Sequence, residues 1–132
     1  MMYRAYNPKF KKQQALKDNK YHARKVVAYG QTFDSEKEYA RYLELKLLEK
    51  AGEIEDLKRQ VRYELLPRQN DENGKMIERP TVYVADFQYR DRETGELIVE
   101  DVKGYKRGQA YAVFSLKRKL MLWLHGIRIR EV

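Results

Sequence analysis

Two stretches of the chain carry apolar residues at helical spacing. In the first stretch these residues recur every four positions, at Tyr39, Leu43, Leu47 and Ala51. Ser35 and Glu38 form a Ser-x-x-Glu capping box, a common start of a helix, and Gly52 suits the C-terminal cap. The pattern therefore predicts a helix over about 36–51.

The second helical stretch lies between Gly108 and Gly126. The side chains expected to face inward are Val113, Leu116, Leu120, Trp123 and Leu124. The basic residues Lys117, Arg118 and Lys119 are expected on its flank or outer side. This spacing predicts a second amphipathic helix with Trp123 in the core.

Alternation of apolar and polar residues indicates β-strands in four other segments. These segments are 61–65, 82–89, 97–103 and 127–132. A shorter extended segment with a glycine turn is expected over 26–33. The resulting order is a helix, a three-strand meander, a helix and a strand, which predicts a mixed α/β fold with helices packed on a sheet.

The turn between the second and third strands sets which of their residues lie opposite each other. If residues 92–95 form the loop, Asp91 pairs with Glu96, and counting outward places Asp86 opposite Asp101. Asp101 and Lys103 lie two residues apart, so both point to one face of the sheet, and Glu100 points to the other. The pattern therefore brings two carboxylates and one ammonium group together.

Two facing carboxylates repel each other unless a cation or a proton lies between them. Mg²⁺ prefers oxygen ligands, keeps several waters, and needs only one or two carboxylates together with a substrate phosphate. Asp86 and Asp101 are therefore candidate metal ligands. The alternative is that these aspartates are surface charges, with Lys103 neutralising Asp101.

The positive charge of the chain is concentrated at its N-terminus. The 132 residues carry a formal net charge of +8, and residues 1–25 hold eight Lys or Arg against one acidic residue. We interpret residues 1–28 as a basic flexible arm and residues 29–132 as the folded domain. Such an arm suits a polyphosphate partner, with a solubilising or assembly role as the alternative. Its candidate DNA contacts are Lys11, Lys12, Lys20, Arg24 and Lys25.

Composition excludes several classes of protein. The chain has no cysteine, which rules out disulfides and thiolate zinc sites. No apolar run reaches the roughly 18 residues that span a bilayer, and the N-terminus lacks the apolar core of a secretory signal. We therefore expect a cytoplasmic protein with no membrane partner.

The order of elements and the acidic residues resemble the PD-(D/E)xK nuclease superfamily, and more closely its small phage-associated members. In that motif an Asp on the second strand precedes an acidic residue, any residue and Lys on the third strand, which matches Asp86, Asp101 and Lys103. Glu38 matches an acidic position on the first helix, and Lys117 matches a basic one on the second. The motif's proline is replaced by Ala85. The resemblance covers about residues 33–132 and implies a restriction-endonuclease-like core.

The resemblance implies a DNA endonuclease that depends on Mg²⁺ or Mn²⁺. Asp86, Asp101 and the backbone carbonyl of Val102 would hold the metal, and Glu38 would complete the site. Lys103 would orient the attacking water and stabilise charge on the phosphate.

Small size and basicity favour a structure-selective nuclease of junctions or flaps, acting in a bacterial or phage-infected cytoplasm. The expected DNA contacts outside the arm are Tyr105, Lys106, Arg107 and Lys117. A homodimer is expected if two strands must be cut together. The alternative function is a non-catalytic DNA-binding or packaging accessory protein that keeps the nuclease fold.

Overall fold

The computed structural model describes residues 24–104 and 106–132. The predictions for Lys11, Lys12, Lys20 and Tyr105 fall outside these residues. The chain divides into two units, Met1–Glu44 and Leu45–Val132. The predicted boundary between arm and domain, after residue 28, stays a prediction.

The described part of the first unit opens with a short antiparallel hairpin. Its strands are β1 (Val26–Ala28) and β2 (Gln31–Phe33), and they are joined at Tyr29 and Gly30, which both have positive φ. This confirms the extended segment with a glycine turn. The ring of Phe33 is fully buried and lies 5.1 Å from the ring centres of both Tyr39 and Tyr42.

Helix α1 (Glu36–Lys50) begins at the predicted capping box. The backbone N–H of Glu38 donates to Ser35 Oγ at 3.0 Å, and the Glu38 carboxylate accepts from the backbone N–H of Asp34 at 3.2 Å. After the helix, Gly52 adopts φ of +80°, the left-handed conformation that a glycine C-cap supplies. The predicted bounds of this helix are confirmed to within one residue.

The second unit is built on a mixed four-stranded sheet. The elements that follow α1 along the chain are β3 (Ile54–Leu66), β4 (Gln69–Asn70), β5 (Met76–Glu78), β6 (Thr81–Asp91), β7 (Leu97–Asp101), helix α2 (Gln109–His125) and β8 (Arg130–Glu131). The sheet order is β3-β6-β7-β8, with β7 and β8 parallel and the other neighbours antiparallel. Within the described part of the chain, the short strands β4 and β5 pair only with each other. The predicted meander, helix and final strand are therefore present.

Helix α2 turns a different face inward from the one its spacing predicted. Its buried residues are Phe114 and Met121, which join a core that includes Leu65, Ala85 and Val99. The residues predicted inward but found exposed are Val113, Leu116, Trp123 and Leu124.

Trp123 is 84% exposed, so its predicted core position is wrong, and Leu120 alone of the predicted stripe packs against the core. The helix carries apolar residues on most of its circumference, so periodicity alone does not select a face. Neither helix in the described residues is both long and apolar enough to cross a membrane.

Candidate functional site

The register between β6 and β7 agrees with the one predicted from their loop. The strand pairs run from Arg90 with Leu97 to Phe87 with Glu100, and the Asp91 N–H donates to the Glu96 carbonyl at 3.0 Å. The same count places Asp86 opposite Asp101, one step beyond the last pair. The two aspartates therefore lie at the end of this ladder, where the strands separate.

Strict side-chain alternation fails on β6 at this point. Val99 pairs with Gln88 and so shares its face, yet Val99 also packs in the core cluster that contains Ala85. Ala85 and Gln88 are three residues apart, so alternation would place them on opposite faces. The face changes between them, next to Asp86. On β3, the residue opposite Asp86 is Gln60, whose φ is +52°.

Backbone and side-chain donors hold the Asp86 carboxylate in place. Its Oδ2 accepts the backbone N–H of Val102 at 2.7 Å, and its Oδ1 lies 3.5 Å from the Gln60 amide nitrogen. The bond to Val102 ties β6 to the segment just after β7. Asp86 thus bridges the gap that opens where the ladder ends.

Asp101 is 5% exposed and contacts a different donor with each oxygen. Tyr83 Oη donates to Oδ1 at 2.9 Å, and Lys103 Nζ lies 2.6 Å from Oδ2. The Lys103 ammonium also lies 3.6 Å from the centre of the Phe114 ring, on α2. The predicted shared face of Asp101 and Lys103 is therefore confirmed.

Backbone pairing with the end of the chain supports this segment. The Lys103 N–H donates to the Val132 carbonyl at 3.0 Å, and the Val132 N–H donates to the Asp101 carbonyl at 3.0 Å. These bonds continue the parallel pairing of β7 with β8 past the last strand residues. The backbone that carries both charged side chains is thus held on two sides.

The buried hydroxyl of Tyr83 lies beside the negative charge of Asp101. Burial raises the pKa of the Tyr83 hydroxyl far above its ordinary value, and the negative charge of Asp101, its hydrogen bond with Tyr83 and the charge of Asp86 raise the pKa further. At neutral pH the hydroxyl therefore keeps its proton and acts as a donor. Of the two aspartates, Asp101 is the one that this hydroxyl contacts.

The acidic groups suit a partly hydrated metal site. Among residues 24–104 and 106–132, no cluster of three or more His, Cys, Asp or Glu could surround a metal ion. Asp86 and Asp101 supply two carboxylates, which is the number that Mg²⁺ uses when waters and a substrate phosphate complete its shell. The donor set fits an open Mg²⁺ or Mn²⁺ site and does not fit a closed cage of protein ligands.

The other candidate residues lie on separate elements. Glu38 is buried in the first unit within its capping box, and its catalytic role stays a prediction. The side chains of Lys106 and Arg107 are exposed before α2, and Lys117 is half-buried on that helix. Arg24 and Lys25 are exposed. Their contacts with DNA stay predictions.

Three residues of the site were missed by sequence reasoning: Tyr83, Gln60 and Phe114. Tyr83 and Phe114 looked like ordinary apolar positions of a strand and a helix. The left-handed backbone at Gln60 has no signal in the sequence, because it is neither Gly nor Asn. Tyr83 could have been noticed as a Tyr where Phe would fill the same core volume.

A comparison with protein families covers most of the chain. Residues 18–126 match the family model described as "Protein of unknown function (DUF1064)". The chain belongs to this family. The match includes Glu38, Asp86, Asp101 and Lys103, so every predicted catalytic residue lies within the DUF1064 region. Curated proteins and solved structures gave no match.

Proposed function

We propose that this DUF1064 protein is a metal-dependent endonuclease that hydrolyses phosphodiester bonds in DNA. The observation that carries the proposal is the convergence of Asp86, Asp101 and Lys103 at the end of the β6–β7 ladder. We also propose a restriction-endonuclease-like core. The order of the elements agrees with it: a helix, three antiparallel strands, a helix and a parallel fourth strand.

Asp86, Asp101 and the Val102 carbonyl would hold Mg²⁺ or Mn²⁺. When bound, the metal polarises the phosphate and lowers the pKa of a bound water. The protein contributes ligands that are already oriented, since the Val102 N–H fixes Asp86 and the Tyr83 hydroxyl fixes Asp101. Such outer contacts keep metal ligands in place.

Lys103 contributes a positive charge beside the metal ligands. Its ammonium is largely buried and is held between the Asp101 carboxylate and the Phe114 ring. In this water-poor position, it can orient a water and stabilise the negative charge that develops on the phosphate during attack. A lysine on the far side of the sheet could not do so.

The charge around α2 supports a nucleic-acid substrate. From residue 104 to residue 130 the sequence contains seven Lys or Arg residues and no acidic residue. Exposed cations release counterions when they contact a phosphate backbone, which gives affinity without regard to base sequence. This is consistent with an enzyme that selects DNA structure, such as a junction or flap, and that acts in a bacterial or phage-infected cytoplasm.

One observation favours a second candidate, a non-catalytic DNA-binding or packaging accessory. All four oxygens of Asp86 and Asp101 already contact a protein donor, and Lys103 neutralises Asp101 without a metal. A site kept only for stability would have the same contacts. The two candidates differ in turnover, which an assay decides.

The deciding experiment incubates the full chain with single-stranded, duplex, flap and four-way-junction DNA in Mg²⁺, in Mn²⁺ and in EDTA. We expect cleavage of at least one substrate with either metal and none in EDTA. Asp101→Asn should abolish cleavage and keep DNA binding, whereas the control Glu100→Gln, one residue away, should cleave. Binding without cleavage of any substrate in either metal refutes the enzyme and supports the accessory.

A further inference from the structure

Tyr83 carries a hydroxyl that core packing does not require. The side chain is 3% exposed, and its ring packs in the cluster with Leu65, Phe114 and Met121. A phenyl ring would fill the same space at less cost, because a buried hydroxyl must find a hydrogen-bond partner. Here that partner is Asp101, at 2.9 Å.

The hydroxyl makes the two oxygens of Asp101 unequal. Oδ1 accepts from a neutral donor, whereas Oδ2 faces the Lys103 ammonium at 2.6 Å. A carboxylate held by donors on both oxygens cannot rotate about its Cβ–Cγ bond without losing one of these contacts. Tyr83 therefore holds the plane of the carboxylate, so that the oxygen it does not contact points toward the Lys103 ammonium.

We propose that Tyr83 is a positioning residue, whose hydroxyl holds the Asp101 carboxylate so that Oδ2 is presented to a divalent cation beside Lys103. This inference rests on the proposed function, because it assumes that Asp101 is a metal ligand. Tyr83 itself touches neither metal nor substrate. Because Tyr83 already holds the Asp101 side chain in one orientation, less conformational entropy is lost when a cation binds.

The same two strands supply a matched control. Tyr89 lies on β6 and donates to Glu100 on β7, as Tyr83 donates to Asp101. Both tyrosines are 3% exposed, and the two carboxylates are neighbours in the sequence. Removing either hydroxyl therefore leaves one buried carboxylate without its tyrosine donor, but only one of these carboxylates belongs to the proposed metal site.

The test measures the affinity of the full chain for Mn²⁺ alone, by electron paramagnetic resonance of the free ion, without DNA. We expect Tyr83→Phe to weaken Mn²⁺ binding by about 10–100-fold, the range found when an outer partner of a metal ligand is removed. Tyr89→Phe should bind Mn²⁺ like the wild type. Both variants should lose thermal stability, so stability alone does not separate them.

A second measurement needs no substitution and so does not depend on the folding of Tyr83→Phe. In wild-type protein labelled with ¹³C at the tyrosine Cζ atoms, Mg²⁺ should shift the Tyr83 resonance and leave the Tyr89 resonance in place. Equal Mn²⁺ affinity of the wild type and Tyr83→Phe overturns the role of Tyr83, as does an unmoved Tyr83 resonance in a protein that binds Mg²⁺. A wild type that binds neither ion overturns the proposed function and this inference with it.

Discussion

Asp101 and Glu100 are neighbours on β7, are both buried, and each accept a hydrogen bond from the hydroxyl of a tyrosine on β6. They differ in what else surrounds them. Glu100 lies in the last pair of the ladder, opposite Phe87, whereas Asp101 lies one step beyond that pair, opposite a second aspartate and 2.6 Å from a lysine. Burial and a tyrosine partner are common to both carboxylates, so these two properties do not distinguish the proposed site. The end of the ladder differs because charged groups from separate segments meet there, and we place the proposed metal site at that point.

The largest expected difference between the two carboxylates is catalytic. Asp101→Asn should reduce cleavage by at least about 10²–10³-fold, since an oriented charge is lost from the reacting centre. Glu100→Gln makes the same chemical change one residue away and should cleave like the wild type. Initial rates on the best DNA substrate measure both. Equal losses would mean that the strand, rather than the site, was damaged.

Lys103→Met should show that the stability of the Asp101 region depends on a cation, in contrast to the Glu100 region. Removing the ammonium leaves Asp101 as an uncompensated buried charge, which destabilises the fold by up to about 3–5 kcal/mol. Mg²⁺ at about 100 times its Kd should return about 2.7 kcal/mol to this variant, because it binds the folded state only. Thermal unfolding with and without Mg²⁺ checks this. A variant that Mg²⁺ leaves unchanged argues against cation binding at Asp101.

The contact between Tyr89 and Glu100 should contribute to the free energy of unfolding and not to metal binding. Tyr89→Phe removes the buried donor of a charged acceptor and should lower the free energy of unfolding by about 1–3 kcal/mol. Mg²⁺ should not reduce this loss, in contrast to Lys103→Met. Urea unfolding at pH 7, in EDTA and in Mg²⁺, measures the difference. Rescue by Mg²⁺ would place Glu100 in the metal site and remove the contrast.

A third tyrosine–carboxylate pair gives the smallest effect. Glu131 on β8 accepts from Tyr111 at 2.8 Å and from Arg118 at 3.2 Å. Burial alone would raise the pKa of Glu131, but these bonds and the positive charges of Arg118 and Lys106 outweigh it and hold the pKa below its ordinary value.

A lowered carboxyl pKa stabilises the fold above the unfolded pKa of about 4.3, and this contribution is lost as pH falls through the folded pKa. Glu131→Gln should therefore cost about 0.5–1 kcal/mol at pH 7 and almost nothing near pH 3. Urea unfolding at the two pH values checks the sign. A larger cost at the lower pH would contradict it.

Local signals in the sequence were enough for α1 and for the facing of the two aspartates. The capping box at Ser35 fixed where the helix begins, and the loop at 92–95 fixed the register of its hairpin. Both depend on residues close in sequence, whose geometry is decided by a few backbone bonds.

The inward face of α2 and the contacts of Tyr83 could not be predicted in this way. Apolar side chains surround α2, so its face is chosen by the shape of the sheet surface it covers, which residues distant in sequence create. Tyr83 reaches Asp101 because the side chains of β6 stop alternating regularly between the two faces of the sheet near Asp86, and no residue type in the sequence predicts that change. Tertiary packing decides both features.

The outward position of Trp123 has a practical consequence for spectroscopy. It is the single tryptophan of the chain, and most of its indole is in contact with solvent. Its emission should therefore be red-shifted already in the native state and readily quenched by iodide, which the nearby basic residues of α2 would attract. Indole fluorescence will then be a weak reporter of unfolding, and circular dichroism is the better observable for stability measurements on this protein.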